Sequence, residues 1–368
     1  MNFTPQDHFY MSRALQLARN GLYTTHPNPR VGCVIVQDNK IVGEGWHERA
    51  GEPHAEVHAL RQAGAAAKQA TAYVTLEPCS HYGRTPPCAL ALVQAGVSKV
   101  IAAMVDPNPL VAGKGLQLLQ QAGIQTQSGL LESEARALNP GFISRMERHR
   151  PYVRVKMAMS LDGRTAMRSG ESVWITGEAA RRDVQFLRAQ AAAVLTGIGT
   201  VLCDNPALNV RLNTDELGIQ GEVRQPLRVL LDSQLRCPLD AKWLQVAGQT
   251  TIYTCSQDTH KIAQLQQAGV NVRPFTGDSL DLSAVMQALL DDGVNEVHVE
   301  AGATLSGALL EQGLADELVI YMAPHLMGSD ARALFTLPHI QRMHERLALK
   351  IQDIRAVGQD WRILATLA

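Results

Sequence analysis

Two α/β domains are predicted by three observations. Short apolar runs alternate with helical patterns in both halves of the chain. Helix-length segments separate the runs, as parallel strands covered on both faces require. A charged, apolar-poor stretch, Arg145-Met-Glu-Arg-His-Arg-Pro151, divides the two series and reads as a linker. The domains are placed at 1–147 and 148–368.

The elements follow in order. Thr4-Pro5-Gln6-Asp7 has a capping threonine, proline at the first helical position and an acid three residues on. A helix over 7–20 then presents Phe9, Met11, Ala14, Leu15, Leu17 and Ala18, with Gly21 as its stop. The runs 31–36 and 40–45 flank Asp38-Asn39 and read as a hairpin. A helix is expected from about His54, then a strand at 72–76, a helix at 89–95, a strand at 99–104, a helix at 115–122 and a strand at 124–128. In the second half, strands are expected at 152–159, 193–197, 227–231, 251–254, 296–299 and 317–322, with helices at 178–190, 260–268, 282–291 and 304–312. The run 361–367 reads as a closing edge strand. His26-Pro-Asn-Pro29 and Asp106-Pro-Asn-Pro109 echo each other too briefly to mark a repeat.

Composition narrows the function. Apolar residues make up 46% and charged residues 19% of the 368, which is ordinary for a globular protein able to bury its core without disulfides. Six cysteines are too few for a disulfide scaffold in a chain this long, so a reducing, cytoplasmic setting is the simpler expectation. The net charge of −1 offers no basic surplus to a nucleic acid or a membrane, and no run of about 18 apolar residues spans one. A small-molecule substrate is expected.

The strongest constellation is His54-Ala55-Glu56 with Pro78-Cys79 and Cys88. One imidazole and two thiolates suit zinc and leave a fourth position open for water, whose pKa the metal lowers toward neutrality. A glutamate two residues beyond the histidine can move protons without ligating. His-x-Glu followed by Pro-Cys is the zinc deaminase pattern, although eight residues rather than two separate these thiols. Two buried cysteines with a surface histidine, or a closed structural zinc completed by His47, His58 or His81, are the blander readings. A deaminase of free or RNA-borne bases is another alternative, with the second domain merely binding.

The segments Pro78-Cys-Ser-His-Tyr-Gly-Arg-Thr-Pro-Pro-Cys88, His26-Pro-Asn-Pro-Arg-Val-Gly-Cys-Val34 and Asp106-Pro-Asn-Pro-Leu-Val-Ala-Gly-Lys-Gly115 make the resemblance specific. They resemble the deaminase half of the bifunctional riboflavin-biosynthesis enzymes. That resemblance implies a cytidine-deaminase-like three-layer αβα domain and one zinc ion per chain. Its implied substrate is 2,5-diamino-6-(5-phosphoribosylamino)pyrimidin-4(3H)-one, with Glu56 catalytic and Asn28, His47, Arg84, Asp106 and Asn108 contacting it. The chemistry is compatible: Asn28 offers donor and acceptor to a ring edge, and Arg84 suits a phosphate. Competing readings are turn chemistry for Asn28 and Asn108, a solvated charge for Arg84, and an ordinary surface histidine for His47.

The second half has no Gly-x-Gly-x-x-Gly. Instead Thr196-Gly-Ile-Gly-Thr200 follows one apolar run, and Glu300-Ala-Gly-Ala-Thr-Leu-Ser306 joins an expected strand to a helix, where small residues let N–H groups approach a pyrophosphate. With Lys156-Met-Ala-Met-Ser-Leu-Asp-Gly-Arg-Thr165, Trp174-Ile-Thr-Gly177 and Asp204-Asn-Pro-Ala-Leu208, these segments are similar to the reductase half of the same family. The resemblance implies a dihydrofolate-reductase-like αβ domain that uses NADPH. It implies cofactor contacts at Ala158, Trp174, Thr200, Gly302, Ala303, Thr304, Leu305 and Ser306. Substrate contacts fall at Lys156, Ser172, Arg188, Asp204, Leu208, Arg211 and Glu300. Solvent-exposed salt bridging is the alternative for Arg188 and Arg211. The product would be 5-amino-6-(5-phosphoribitylamino)uracil, and family precedent implies a homodimer.

Overall fold

A computed structural model describes residues 3–81, 86–109 and 111–367. The chain divides into two units, Met1–His149 with Gly218–Gln220, and Arg150–Leu217 with Gly221–Ala368.

The first unit contains, in chain order, α1 (Pro5–Ala18), β1 (Gly32–Gln37), β2 (Lys40–Trp46), α2 (Ala55–Ala63), β3 (Thr71–Val74), α3 (Cys88–Ala95), β4 (Lys99–Ala102), α4 (Lys114–Gln121), β5 (Gln125–Ser128), α5 (Glu132–Leu138) and α6 (Pro140–Arg148). Its sheet runs β2-β1-β3-β4-β5, with β1 antiparallel to both neighbours and β3, β4 and β5 parallel. Strand alternation sorts side chains onto two faces. Cys33 and Ile35 of β1 join a core with Ala55, Ala59 and Ala63 of α2 and Leu92 of α3. Val34 and Val36 face Met11, Ala14 and Leu15 of α1 and Ile143 of α6. Helices thus cover both faces, giving three layers.

Local chemistry explains where the elements begin and how closely they pack. The Thr4 side chain accepts from the Asp7 N–H, and Asp7 accepts from the Thr4 N–H, closing the expected capping box. The other Asp7 oxygen accepts from Tyr73 at 2.7 Å, which ties α1 to β3. On β2, a Cβ at Gly43 would lie 2.1 Å from the carbonyl oxygen of Ala59. With alanines on the helix and no side chain on the strand, α2 rests directly on the sheet.

The second unit contains β6 (Tyr152–Ser160), β7 (Arg164–Ala166), α7 (Glu178–Gln190), β8 (Ala193–Gly197), α8 (Ile198–Asp204), α9 (Thr214–Leu217), β9 (Leu227–Leu231), α10 (Lys242–Gln245), β10 (Thr250–Thr254), α11 (Thr259–Gln267), β11 (Asn271–Pro274), α12 (Leu282–Asp291), β12 (Glu296–Glu300), α13 (Ala303–Glu311), β13 (Glu317–Ala323), β14 (Arg332–Ala333), β15 (Leu349–Val357) and β16 (Asp360–Leu367). Its main sheet runs β11-β10-β9-β8-β12-β6-β13-β16-β15, parallel from β11 to β13 and antiparallel beyond. Val153, Val155, Val297 and Val299 build the core on one face with Val285 and Leu289 of α12 and Leu309 of α13. The opposite face of the same strands carries Arg154, Lys156, Glu296, His298 and Glu300, aligned by the pairings His298↔Arg154 and Glu300↔Lys156.

Two expectations need correction. Arg145–Arg148 is not linker but the last turn of α6, because Ile143 and Ser144 bury its inner side while the charges face outward. The strand over 361–367 is not an edge: β15 pairs outside it, with a bulge between Ile351 and Asp353 that breaks the two-residue period by which strands are read. The strand expected at 193–197 is β8, and the glycine-rich 196–200 segment joins it to α8 with Gly197 at the N-cap.

Gly43→Ala should lower the stability of the first unit by about 1–3 kcal/mol. Denaturant unfolding would show a lower midpoint at unchanged slope; an unchanged midpoint would contradict the close seat of α2.

Candidate functional site

His54 is the N-cap of α2, so Glu56 falls in the helix's first turn. Cys79 follows β3, and Cys88 is the first residue of α3, with Pro87 at the N-cap. Three separate segments thereby bring one imidazole nitrogen and two sulfurs within 4.8 Å of one another. His54 Nδ1 lies 3.3 Å from Cys88 Sγ and 3.7 Å from Cys79 Sγ, and the Cys88 N–H donates to Cys79 Sγ at 3.3 Å. A borderline-soft triad of this kind fits zinc with an open fourth position.

The electrostatics of the site suit proton transfer. The thiol pair shares an ionisation: the Cys88 thiol, hydrogen-bonded to Cys79, holds the Cys79 sulfur as the thiolate and has its own pKa pushed up. Glu56 is 3% exposed, and burial, followed by repulsion from Cys79, pushes its pKa up to about 7. A carboxyl poised near neutrality can both take and return a proton.

Around this triad, His47 Nδ1 donates to the Pro53 carbonyl at 3.2 Å, and Asn28 Nδ2 donates to His47 Nε2 at 3.1 Å. These partners assign the neutral Nδ1–H tautomer, in keeping with a pKa lowered mainly by burial. His47 is therefore not a surface histidine. Its contact fixes the orientation of the Asn28 amide. Asp106 is buried and accepts from the Asn108 N–H at 2.8 Å, and burial raises its pKa to about 6. Arg84 lies outside the described residues.

In the second unit, Arg188 Nε and Nη2 hold both Glu300 oxygens, at 2.5 and 2.9 Å, and its Nη1 donates to the Asn209 carbonyl at 3.0 Å. Arg188 is thus a buried partner of Glu300 rather than an exposed surface cation. The pair sits beside Lys156, whose ammonium is destabilised by burial, an effect that Glu300 opposes and Arg188 reinforces. Ser172 Oγ donates to Asp204 at 3.3 Å, and the Arg211 N–H donates to Gln185 at 2.9 Å. Leu208 is buried on a left-handed turn. Ala158 lies on β6 and Thr200 on α8, while Trp174 is 71% exposed with the Arg181 guanidinium 4.6 Å from its ring centre.

Gly302 is the N-cap of α13 and provides no side-chain cap, and a Cβ there would meet nothing within 4 Å. The N–H groups of Ala303, Thr304 and Leu305 form the first turn of the helix, an arrangement suited to a dinucleotide pyrophosphate. Ser306 is instead buried, its hydroxyl donating to the Ala301 carbonyl at 3.4 Å.

Two residues escaped the sequence reading. Glu77, beside Pro78-Cys79, is a buried acceptor of main-chain N–H groups; an acid at the end of an apolar run was its available signal. His298, fully buried with Nε2 3.4 Å from Glu300, was signalled by the alternating polar face Glu296-Val-His-Val-Glu300.

Comparison with known proteins agrees with both sites. Residues 4–104 match the cytidine and deoxycytidylate deaminase zinc-binding region, and residues 151–363 match the RibD C-terminal domain. The riboflavin biosynthesis protein RibD of Escherichia coli is 54% identical over 96% of this chain and 98% of its own length. That of Haemophilus influenzae is 47% identical over 100% of this chain and 99% of its own. The solved structure of Acinetobacter baumannii RibD superposes with a TM-score of 0.91 at 48% identity, covering 99% of both chains. A Thermotoga maritima structure described as a diaminohydroxyphosphoribosylaminopyrimidine deaminase/5-amino-6-(5-phosphoribosylamino)uracil reductase reaches 0.86 at 30% identity, again covering 99% of both. The chain belongs to the RibD family of bifunctional riboflavin-biosynthesis enzymes, with a zinc-dependent deaminase in its first half and an NADPH-dependent reductase in its second.

Proposed function

We propose that the first site hydrolyses the 2-amino group of 2,5-diamino-6-(5-phosphoribosylamino)pyrimidin-4(3H)-one, and that the second reduces the ribosyl group of the product to ribityl. The observation that carries the reading is the convergence of His54, Cys79 and Cys88 beside buried Glu56.

His54, Cys79 and Cys88 would hold a zinc ion, which would supply the Lewis acidity that brings the pKa of water toward neutrality. Glu56 takes the proton of the attacking water, delivers it to the adjacent ring nitrogen, and assists the departure of ammonia. The balance is one amino group and one water exchanged for one carbonyl and one ammonia. Asn28 Oδ1, oriented by His47, accepts from a ring N–H. Asp106 and Asn108 flank the pyrimidine, and Arg84 binds the phosphate.

In the second site a bound NADPH would supply the hydride equivalent. Ring opening of the ribosylamine leaves an imine, and reduction at C1′ with addition of one proton gives the ribitylamine. Lys156, aligned with Glu300 across β6 and β12, faces the same side of the sheet and contacts the ribose. Glu300 is held by Arg188 to accept from ribose hydroxyls; Ser172, Asp204, Leu208 and Arg211 complete the substrate contacts. Ala158, Trp174, Thr200 and Gly302–Ser306 form the NADPH cradle, within which the buried Ser306 hydroxyl supports the turn.

The partners are small molecules, and the setting is the cytoplasm. No helix among the described residues is long and apolar enough to cross a membrane. A homodimer is supported by β15, an edge strand with exposed Leu349, Ile351 and Ile354, which an antiparallel copy of itself would cover.

Glu56→Gln should cut ammonia release by about 10²–10⁴-fold. Zinc content and NADPH oxidation with pre-deaminated substrate should be retained; loss of both activities would contradict independent chemistry. Chelation of zinc, or Cys79→Ser, should abolish ammonia release and spare NADPH oxidation with that same substrate, followed at the NADPH absorbance band. Arg188→Met should strand the Glu300 charge, costing about 3–5 kcal/mol in the second unit. Reductase turnover should fall with it, while Glu300→Gln in the same background should recover part of the stability. No recovery would argue against the pair.

A further inference from the structure

We infer that Glu77 is a positioning residue of the deaminase: its carboxylate fastens the segment bearing Asp106 and Asn108 to the turn bearing Cys79, and so sets the distance between pyrimidine recognition and the metal. This rests on the proposed reading of Asp106 and Asn108 as substrate contacts.

Glu77 is 3% exposed, and its side chain receives four main-chain N–H groups. Oε2 accepts from Asp106 at 3.1 Å and Gly113 at 2.9 Å; Oε1 accepts from Gly115 at 2.8 Å and Leu116 at 3.2 Å. The donors lie on both sides of residues 107–112, so one carboxylate closes the segment as a staple closes a loop. Two of them, Gly115 and Leu116, are in the first turn of α4, whose N-cap Gly113 has no side chain to offer. Glu77 therefore caps the helix from outside its own sequence, where a negative charge is favoured.

A second contact fixes the same geometry independently. A Cβ at Gly115 would lie 1.9 Å from the carbonyl oxygen of Pro78, so α4 begins directly against the residue preceding Cys79. The Glu77 N–H donates to the Met104 carbonyl at 3.0 Å, holding together the segments that leave β3 and β4. Those strands are adjacent and parallel, and ligands of open α/β sheets bind beyond such carboxyl ends. From Cys79 the connection runs through Glu77 to the Asp106 N–H, and from Asp106 Oδ1 to the Asn108 N–H. The core beneath is filled by Leu116, Leu119 and Leu92, and the carboxylate lies outside that apolar cluster. Its effect is to hold the recognition segment.

The test uses the full-length, zinc-loaded protein with Glu77→Gln, which keeps the side chain's shape and one acceptor oxygen but turns a donor toward two of the four N–H groups. Zinc per chain, amide exchange across 104–117 and steady-state ammonia release are measured together. We expect one zinc per chain, unchanged NADPH oxidation with pre-deaminated substrate, and at least tenfold faster exchange at Asp106, Gly113, Gly115 and Leu116. KM for the ribotide should rise at least tenfold, more than kcat falls. Glu77→Asp, which keeps the charge but shortens the reach, should show the same split and serves if the Gln variant does not fold. Unchanged exchange, zinc loss in proportion to activity, or a fall in kcat at constant KM would each overturn the inference. If the unaltered enzyme releases no ammonia from the ribotide, the proposed substrate fails, while the exchange measurement still decides whether Glu77 holds the segment.

Discussion

A carboxylate buried away from water must be given compensating partners or surrender its charge, and three glutamates of this chain meet that constraint in three ways. Glu300 is held by both arms of Arg188, and its pKa is driven well below the usual range against the opposing effect of burial. Glu77 is surrounded by main-chain N–H donors. Glu56 has neither arrangement, and its carboxyl drifts up to about 7. The difference in partners separates the roles: two carboxylates are fastened as acceptors, and the third is left able to exchange protons.

The surrounding architecture serves those environments. Parallel strands deliver Cys79 and Asp106 to one end of the first sheet, and α2 and α3 bring His54, Glu56 and Cys88 there from helix starts. In the second unit, period-two alternation puts a fully apolar core on one face of β6 and β12. The opposite face carries the polar row that contains Lys156 and Glu300. One face provides cohesion and the other chemistry, and neither compromises the other because strand geometry keeps them apart.

Much of this was legible in the residues. The capping box at Thr4, the hairpin about Asp38-Asn39 and the strand-and-helix alternation are local signals, and they appear within a few residues of where they were expected. His-x-Glu and Pro-Cys are short motifs whose meaning does not depend on the rest of the fold. What escaped reading was set by tertiary partners. Glu77 looks like any acid before a proline until four distant N–H groups close on it. His47 reads as an ordinary histidine until the Pro53 carbonyl and Asn28 bury it. Arg188 reads as a helix-surface charge until Glu300, over a hundred residues away, takes its fork. The bulge in β15 hides a strand by breaking the period through which strands are recognised.

The seat of α2 on β2 bears on how the deaminase can diversify. Ala55, Ala59 and Ala63 are buried against the sheet, and Gly43 leaves no room beneath Ala59. The helix that carries the proton-transfer glutamate thus has almost no permitted variation on its inner side. The segment between β4 and α4 is fastened to Glu77 through its own N–H groups at Asp106 and Gly113, contacts that a change of side chain at 107–109 leaves in place. Descendants with altered base preference would therefore arise by rewriting that segment, leaving the metal-bearing frame as an inherited constant.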